Sequence, residues 1–132
     1  MNLDLKCAET AEQIRQAIVS FGKDKEAETL ITKALGVLQE DGNYAFYLYM
    51  KAKKETLYNN IEERTVKLLK DVFPSLEDVT SGVDVARTLS SDIDKLFLSK
   101  ELLERTLVYA RYHAKALEKS EKKDSTEKAV DE

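Results

Sequence analysis

Gly36–Lys54 reads GVLQEDGNYAFYLYMKAKK. An apolar helix end meets a polar turn, Gln39-Glu40-Asp41-Gly42-Asn43, and then a segment carrying Tyr44, Phe46, Tyr47 and Tyr49. The segment closes on Lys51, Lys53 and Lys54, and no acidic residue stands between Asp41 and Glu55. At helical spacing Tyr44, Leu48 and Ala52 share one stripe, while Phe46, Tyr49 and Met50 lie side by side. Tyr47, Lys51, Lys54 and Tyr58 form a third line. With large side chains on more than one face, such a helix is central to a bundle or partly covered by another subunit. The pattern sends Tyr44 and Leu48 to the core, with Phe46 and Tyr49 in the core or at a subunit contact. Lys51 and Lys54, in line with Tyr47, are left for solvent or phosphate.

Toward the amino terminus, Ala11, Ile14, Ala17, Ile18 and Phe21 recur at three and four and predict a helix from about Cys7 to Phe21. Gly22 suits its left-handed stop. Asp24 can cap the next helix, whose buried stripe is Ala27, Leu30, Ile31, Ala34, Leu35 and Leu38, running to about Glu40. Gly36 inside it costs about 1 kcal/mol relative to alanine, and marks either a close helix approach or a tolerated glycine. The short turn at Asp41-Gly42 makes the flanking helices antiparallel neighbours, with Asn43 or Asp41 as the cap.

Toward the carboxyl terminus, Asn59-Asn60 predicts a bend. Ile61, Val66, Leu69 and Phe73 continue as a helix with Arg64, Lys67 and Lys70 on its polar side, and Pro74 ends it. Residues 75–84 read as a connection. Val85, Ala86, Leu89, Ile93, Leu96 and Phe97 predict one further helix. Ser99 is placed as the cap of a long last helix with Leu103, Leu107, Ala110, Ala114 and Leu117 inward. The expected fold is all-α: a single-domain bundle of five to six helices over residues 1–119, with a polar, disordered tail over 120–132.

Composition agrees with this. One proline and four glycines in 132 residues leave few interruptions, and 42% hydrophobic with 35% charged residues is a globular balance with a highly charged surface. The net charge of −4 argues against a protein that coats nucleic acid with its whole surface, but the charge is unevenly spread. Residues 43–70 hold six basic and three acidic side chains, and residues 71–98 hold two basic and six acidic. One cysteine allows no internal disulfide and points to the cytoplasm, and no apolar run approaches the length of a membrane span.

Catalytic chemistry finds little support. Cys7 and His113 are the only thiol and the only imidazole, and nothing in the sequence brings them together. No metal-ligand spacing and no phosphate-cradling glycine loop occur. A non-catalytic protein without cofactor or metal is expected. The basic groups are the stronger signal: Lys51, Lys53 and Lys54 follow aromatics, Arg64 and Lys67 line the next helix, and Arg111 and Lys115 lie four apart beside Tyr112 and His113. Lysine and arginine stripes bind phosphate backbones without reading sequence. They are equally the solvated faces of amphipathic helices, as in a protein-interaction module with no nucleic-acid role.

Val37-Leu38-Gln39-Glu40-Asp41-Gly42-Asn43-Tyr44-Ala45-Phe46-Tyr47-Leu48 resembles the central motif of the small helical subunit of type III CRISPR effector complexes. The stretch from Leu102-Leu103 to Tyr109-Ala110-Arg111-Tyr112-His113-Ala114 resembles that family's last helix. The resemblance implies an RNA-binding, non-catalytic subunit of a ribonucleoprotein complex in antiviral defence. Its partners would be copies of itself, other effector subunits, and the backbone of the CRISPR RNA with its target. Carried onto this chain, that role falls to Lys51, Lys53, Lys54, Arg64, Lys67, Arg111 and Lys115.

Overall fold

Asn2 opens the first helix, its side chain accepting from the amide of Leu5 at 3.0 Å, so the helix starts four residues before the expected Cys7. In the computed structural model, residues 1–22 and 25–119 are described in full, and residues 24 and 120–131 by their backbone. Among the described residues six α-helices follow in order: α1 (Leu3–Phe21), α2 (Asp24–Asp41), α3 (Asn43–Lys53), α4 (Thr56–Val72), α5 (Gly82–Leu89) and α6 (Ile93–Asp131), with a 3₁₀ turn at Pro74–Leu76. No strand occurs among the described residues. The expected cap at Asp24 and the tail over 120–132 fall outside the described side chains.

The helices close into a ring. α1 packs between α4 and α6, α6 lies against α2, α2 against α3, and α3 against α4 and α5. Lys100 Nζ donates to the carbonyl of Gln39 at 3.2 Å, and Lys115 pairs with Glu28 at 3.7 Å, so α6 runs antiparallel to α2. Tyr58 on α4 donates to the carbonyl of Leu30 on α2 at 2.6 Å. The end of α3, the starts of α2 and α4, and the 111–115 stretch of α6 therefore gather at one end of the bundle. The core contains most of the expected stripes of α1, α2, α4 and α6, including Ile14, Ile31, Leu38, Ile61, Leu69, Leu103 and Leu107; Phe21, at the end of α1, is exposed, and Leu30 and Leu117 are only partly buried.

Several local expectations are corrected. α4 passes straight through Asn59-Asn60; the break comes earlier, at Lys54, which takes the left-handed conformation at φ 56°. The helix expected over Val85–Phe97 is two helices. Asp92 caps the second, its Oδ1 accepting from the amides of Asp94 and Lys95 at 3.1 and 3.3 Å. Ser99 is therefore interior to α6 and fully buried. Its hydroxyl donates to the carbonyl of Leu96 and accepts from Asn43 Nδ2 at 2.8 Å. Asn43 is a buried helical residue and not a cap, because Gly42 stands at the N-cap with φ 92°.

The largest reversal is on α3. Tyr44 and Leu48, expected in the core, are 43% and 46% exposed, while Tyr47, expected on the outward line, is fully buried. Its inward line is Asn43, Phe46, Tyr47 and Met50. Tyr47 reaches Thr65 on α4, hydroxyl to hydroxyl at 3.0 Å, and its ring packs against Gly82 at the start of α5.

Gly36, inside α2, and Gly82, at the start of α5, divide roles. A methyl group added at Gly36 would meet no atom within 4 Å, so Gly36 is tolerated and marks no close approach. Gly36→Ala is expected to stabilise the protein by about 0.5–1 kcal/mol, read as a raised urea midpoint at unchanged slope.

Candidate nucleic-acid interface

α3 ends on Lys51, Lys53 and Lys54, all exposed and none in an ion pair among the described residues. Lys53 lies 5.5 Å from the centre of the Tyr49 ring, itself 5.8 Å from the ring of buried Tyr58. Lys54 in the left-handed conformation turns the chain sharply into α4.

Beside this basic end a recess of about 190 Å³ opens between α4 and the start of α5, lined by Lys51, Lys54, Asn59, Glu62 and Ser81. A second, of about 450 Å³, continues along α4 to Lys67 and Lys70, with Thr80 on its far wall. Both recesses are lined by Asn59 and Glu62, so they form one groove along α4. Burial pushes the Glu62 carboxyl above the usual carboxylate range, and Lys51 pulls it part of the way back. Glu63 and Asp71 also line the larger recess; Asp71 faces Lys6 at 4.0 Å.

The remaining candidates are elsewhere. Arg64 is half-buried with Nε enclosed and without a hydrogen-bond partner. With Lys67 it lines a recess against α1 that also contains Lys6 and Gln13. Arg111 is half-buried on α6, and Lys115 is engaged with Glu28 and lies 6.0 Å from the Tyr112 ring. The structure thus brings Lys51, Lys54 and Lys67 to one groove whose lining does not include Lys53, puts Arg64 in the neighbouring recess that Lys67 also lines, and leaves Arg111 and Lys115 on α6. Lys70, read on the polar side of this helix with Arg64 and Lys67, joins the groove, as do Asn59 and Glu62, which were not candidates. Their spacing with Val66 along one helical stripe was readable, but the facing wall at Thr80 and Ser81 comes from a distant connection.

Cys7 and His113 do not meet. Cys7 is fully buried, its Sγ 3.5 Å from the carbonyl of Leu102, and burial pushes its thiol above the ordinary value. That is the opposite of an activated thiolate. His113 faces Glu12 at 3.6 Å. No group of three or more His, Cys, Asp or Glu residues placed to hold a metal occurs among the described residues, and no helix among them is long and apolar enough to cross a membrane. Comparison with protein-family models, with curated proteins and with solved structures gives no match to this chain.

Proposed function

We propose that this chain is a non-catalytic small subunit of a type III-like CRISPR ribonucleoprotein, stacking with like subunits and contacting the RNA backbone through its basic helix ends. The observation that supports this is the exposed cluster Lys51, Lys53 and Lys54, opening onto a groove whose far end carries Lys67 and Lys70. A helix C-terminus carries only about half a negative charge, so three lysines far exceed what its dipole requires. Affinity for RNA is then independent of sequence and falls with salt.

The test is a titration of the isolated chain against single-stranded and duplex RNA at two salt concentrations. Charge reversal of Lys51, Lys53 and Lys54 to Glu is expected to weaken binding about thirtyfold at low salt and to reduce the salt slope by about three. RNA binding and complex assembly both unchanged in that variant would sink the assignment. A second reading, a protein-interaction module with no nucleic-acid role, is favoured by the exposed pair Tyr44 and Leu48 on the outer line of α3. It requires that no salt-dependent RNA binding be found.

A further inference from the structure

The groove along α4 is not uniformly basic. Lys51 and Lys54 stand at one end; Lys67 and Lys70 stand at the other beside Glu63 and Asp71, of which Asp71 faces Lys6 at 4.0 Å. Between them, where the two recesses join, stand the amide of Asn59 and the carboxylate of Glu62. From Asn59 to Lys70 the helix rises about 16 Å, which fits a few units of an extended polymer.

A polymer that suits this order has negative groups at the ends and a hydrogen-bond donor in the middle. A half-buried carboxylate repels a phosphate and gains most from a neutral donor that restores part of the hydration it has lost. In a nucleic-acid strand the sugar lies between successive phosphates, and ribose carries there a hydroxyl that deoxyribose lacks. The aromatic ring nearest the groove, Tyr58, is buried and offers no face on which a base could stack. Contact is therefore with sugar and phosphate alone.

We infer that the α4 groove takes single-stranded RNA in preference to DNA, with Glu62 accepting a hydrogen bond from a ribose 2′-hydroxyl between phosphates held by the two lysine pairs. This rests on the RNA-backbone reading above and adds to it the residue that tells the two sugars apart. Asn59 stands one helical turn before Glu62 and supports the same sugar. Glu62 is thus a specificity residue in a groove whose affinity comes from lysines.

The experiment uses the full chain at low salt with a fluorescent oligouridine and its 2′-deoxy counterpart, read by anisotropy. The wild-type protein is expected to favour RNA about tenfold, the worth of one hydrogen bond to a charged group. In Glu62→Ala the preference vanishes, with DNA bound more tightly than by wild type because the repulsion is gone. Glu62→Gln keeps an acceptor without the charge; it retains the preference and binds both strands more tightly. Circular dichroism melts check that both variants fold.

Equal wild-type binding of RNA and DNA overturns the inference while leaving the backbone reading in place. So does an equal gain for both strands in Glu62→Ala, which makes Glu62 a repulsive charge only. Competition by polyglutamate as effective as by RNA assigns the groove to acidic peptides and overturns it too. Absence of binding to either strand removes the RNA-backbone reading itself, and this inference with it.

Discussion

Gly82→Ala is expected to destabilise the protein by about 3 kcal/mol, measured by urea unfolding. The added methyl carbon would come within 2.6 Å of three atoms of the Tyr47 ring, Cδ1, Cγ and Cε1. Tyr47 is fully buried and tied to Thr65, so the ring has nowhere to go without moving α3 or α5. The sign is informative, because alanine for glycine in a helix otherwise gains up to about 1 kcal/mol. Gly36→Ala supplies that contrast within the same chain.

Tyr47→Ala is expected to cost about 3–5 kcal/mol, the range for removing a large buried ring. Little of this is the hydroxyl contact. Thr65 also donates to the carbonyl of Ile61 at 2.7 Å and is not stranded when Tyr47 goes, so Tyr47→Phe should cost only about 1 kcal/mol. The two large effects are coupled. In the Tyr47→Ala background the methyl of Gly82→Ala finds space, and the double variant should be more stable than the sum of the singles by about 2 kcal/mol. Strict additivity would show that Gly82 is needed for the start of α5 and not for the ring that covers it.

Helices with one apolar stripe were legible in the sequence. α1, α2 and α4 bury Ile14, Ile31 and Ile61 as their spacing requires, since a single stripe has only one way to face inward. α3 was not, because it carries large side chains on three lines and hydrophobicity does not rank them. Thr65 and Gly82, a hydroxyl and a gap contributed by elements far along the chain, settle that Tyr47 is inside and Tyr44 outside. The same limit applies to Ser99. A serine after an apolar stretch fits a cap or a helix interior, and Asp92, standing earlier, takes the cap.

The candidate site was legible as residue types and not as a place. Lysines at 51, 54 and 67 could be read off the chain, but a groove has two walls. Its second wall, Thr80 and Ser81, lies in a connection without periodicity. Glu62, flanked in sequence by Glu63 and Arg64, carries no sign of its burial in the sequence.

The position of α1 between α4 and α6 carries a consequence for how the chain is made. Although α1 and α2 are consecutive, they share little contact with each other, and both lean on α6. Cys7 waits for Leu102, and Asp4 for Arg105 and Tyr109. During synthesis α2 can therefore meet α3, and α1 can meet α4, before α6 exists, but the faces both turn to α6 stay bare until that last helix has left the ribosome. A nascent chain that ends before α6 is expected to leave those two faces exposed, and α6 closes the core.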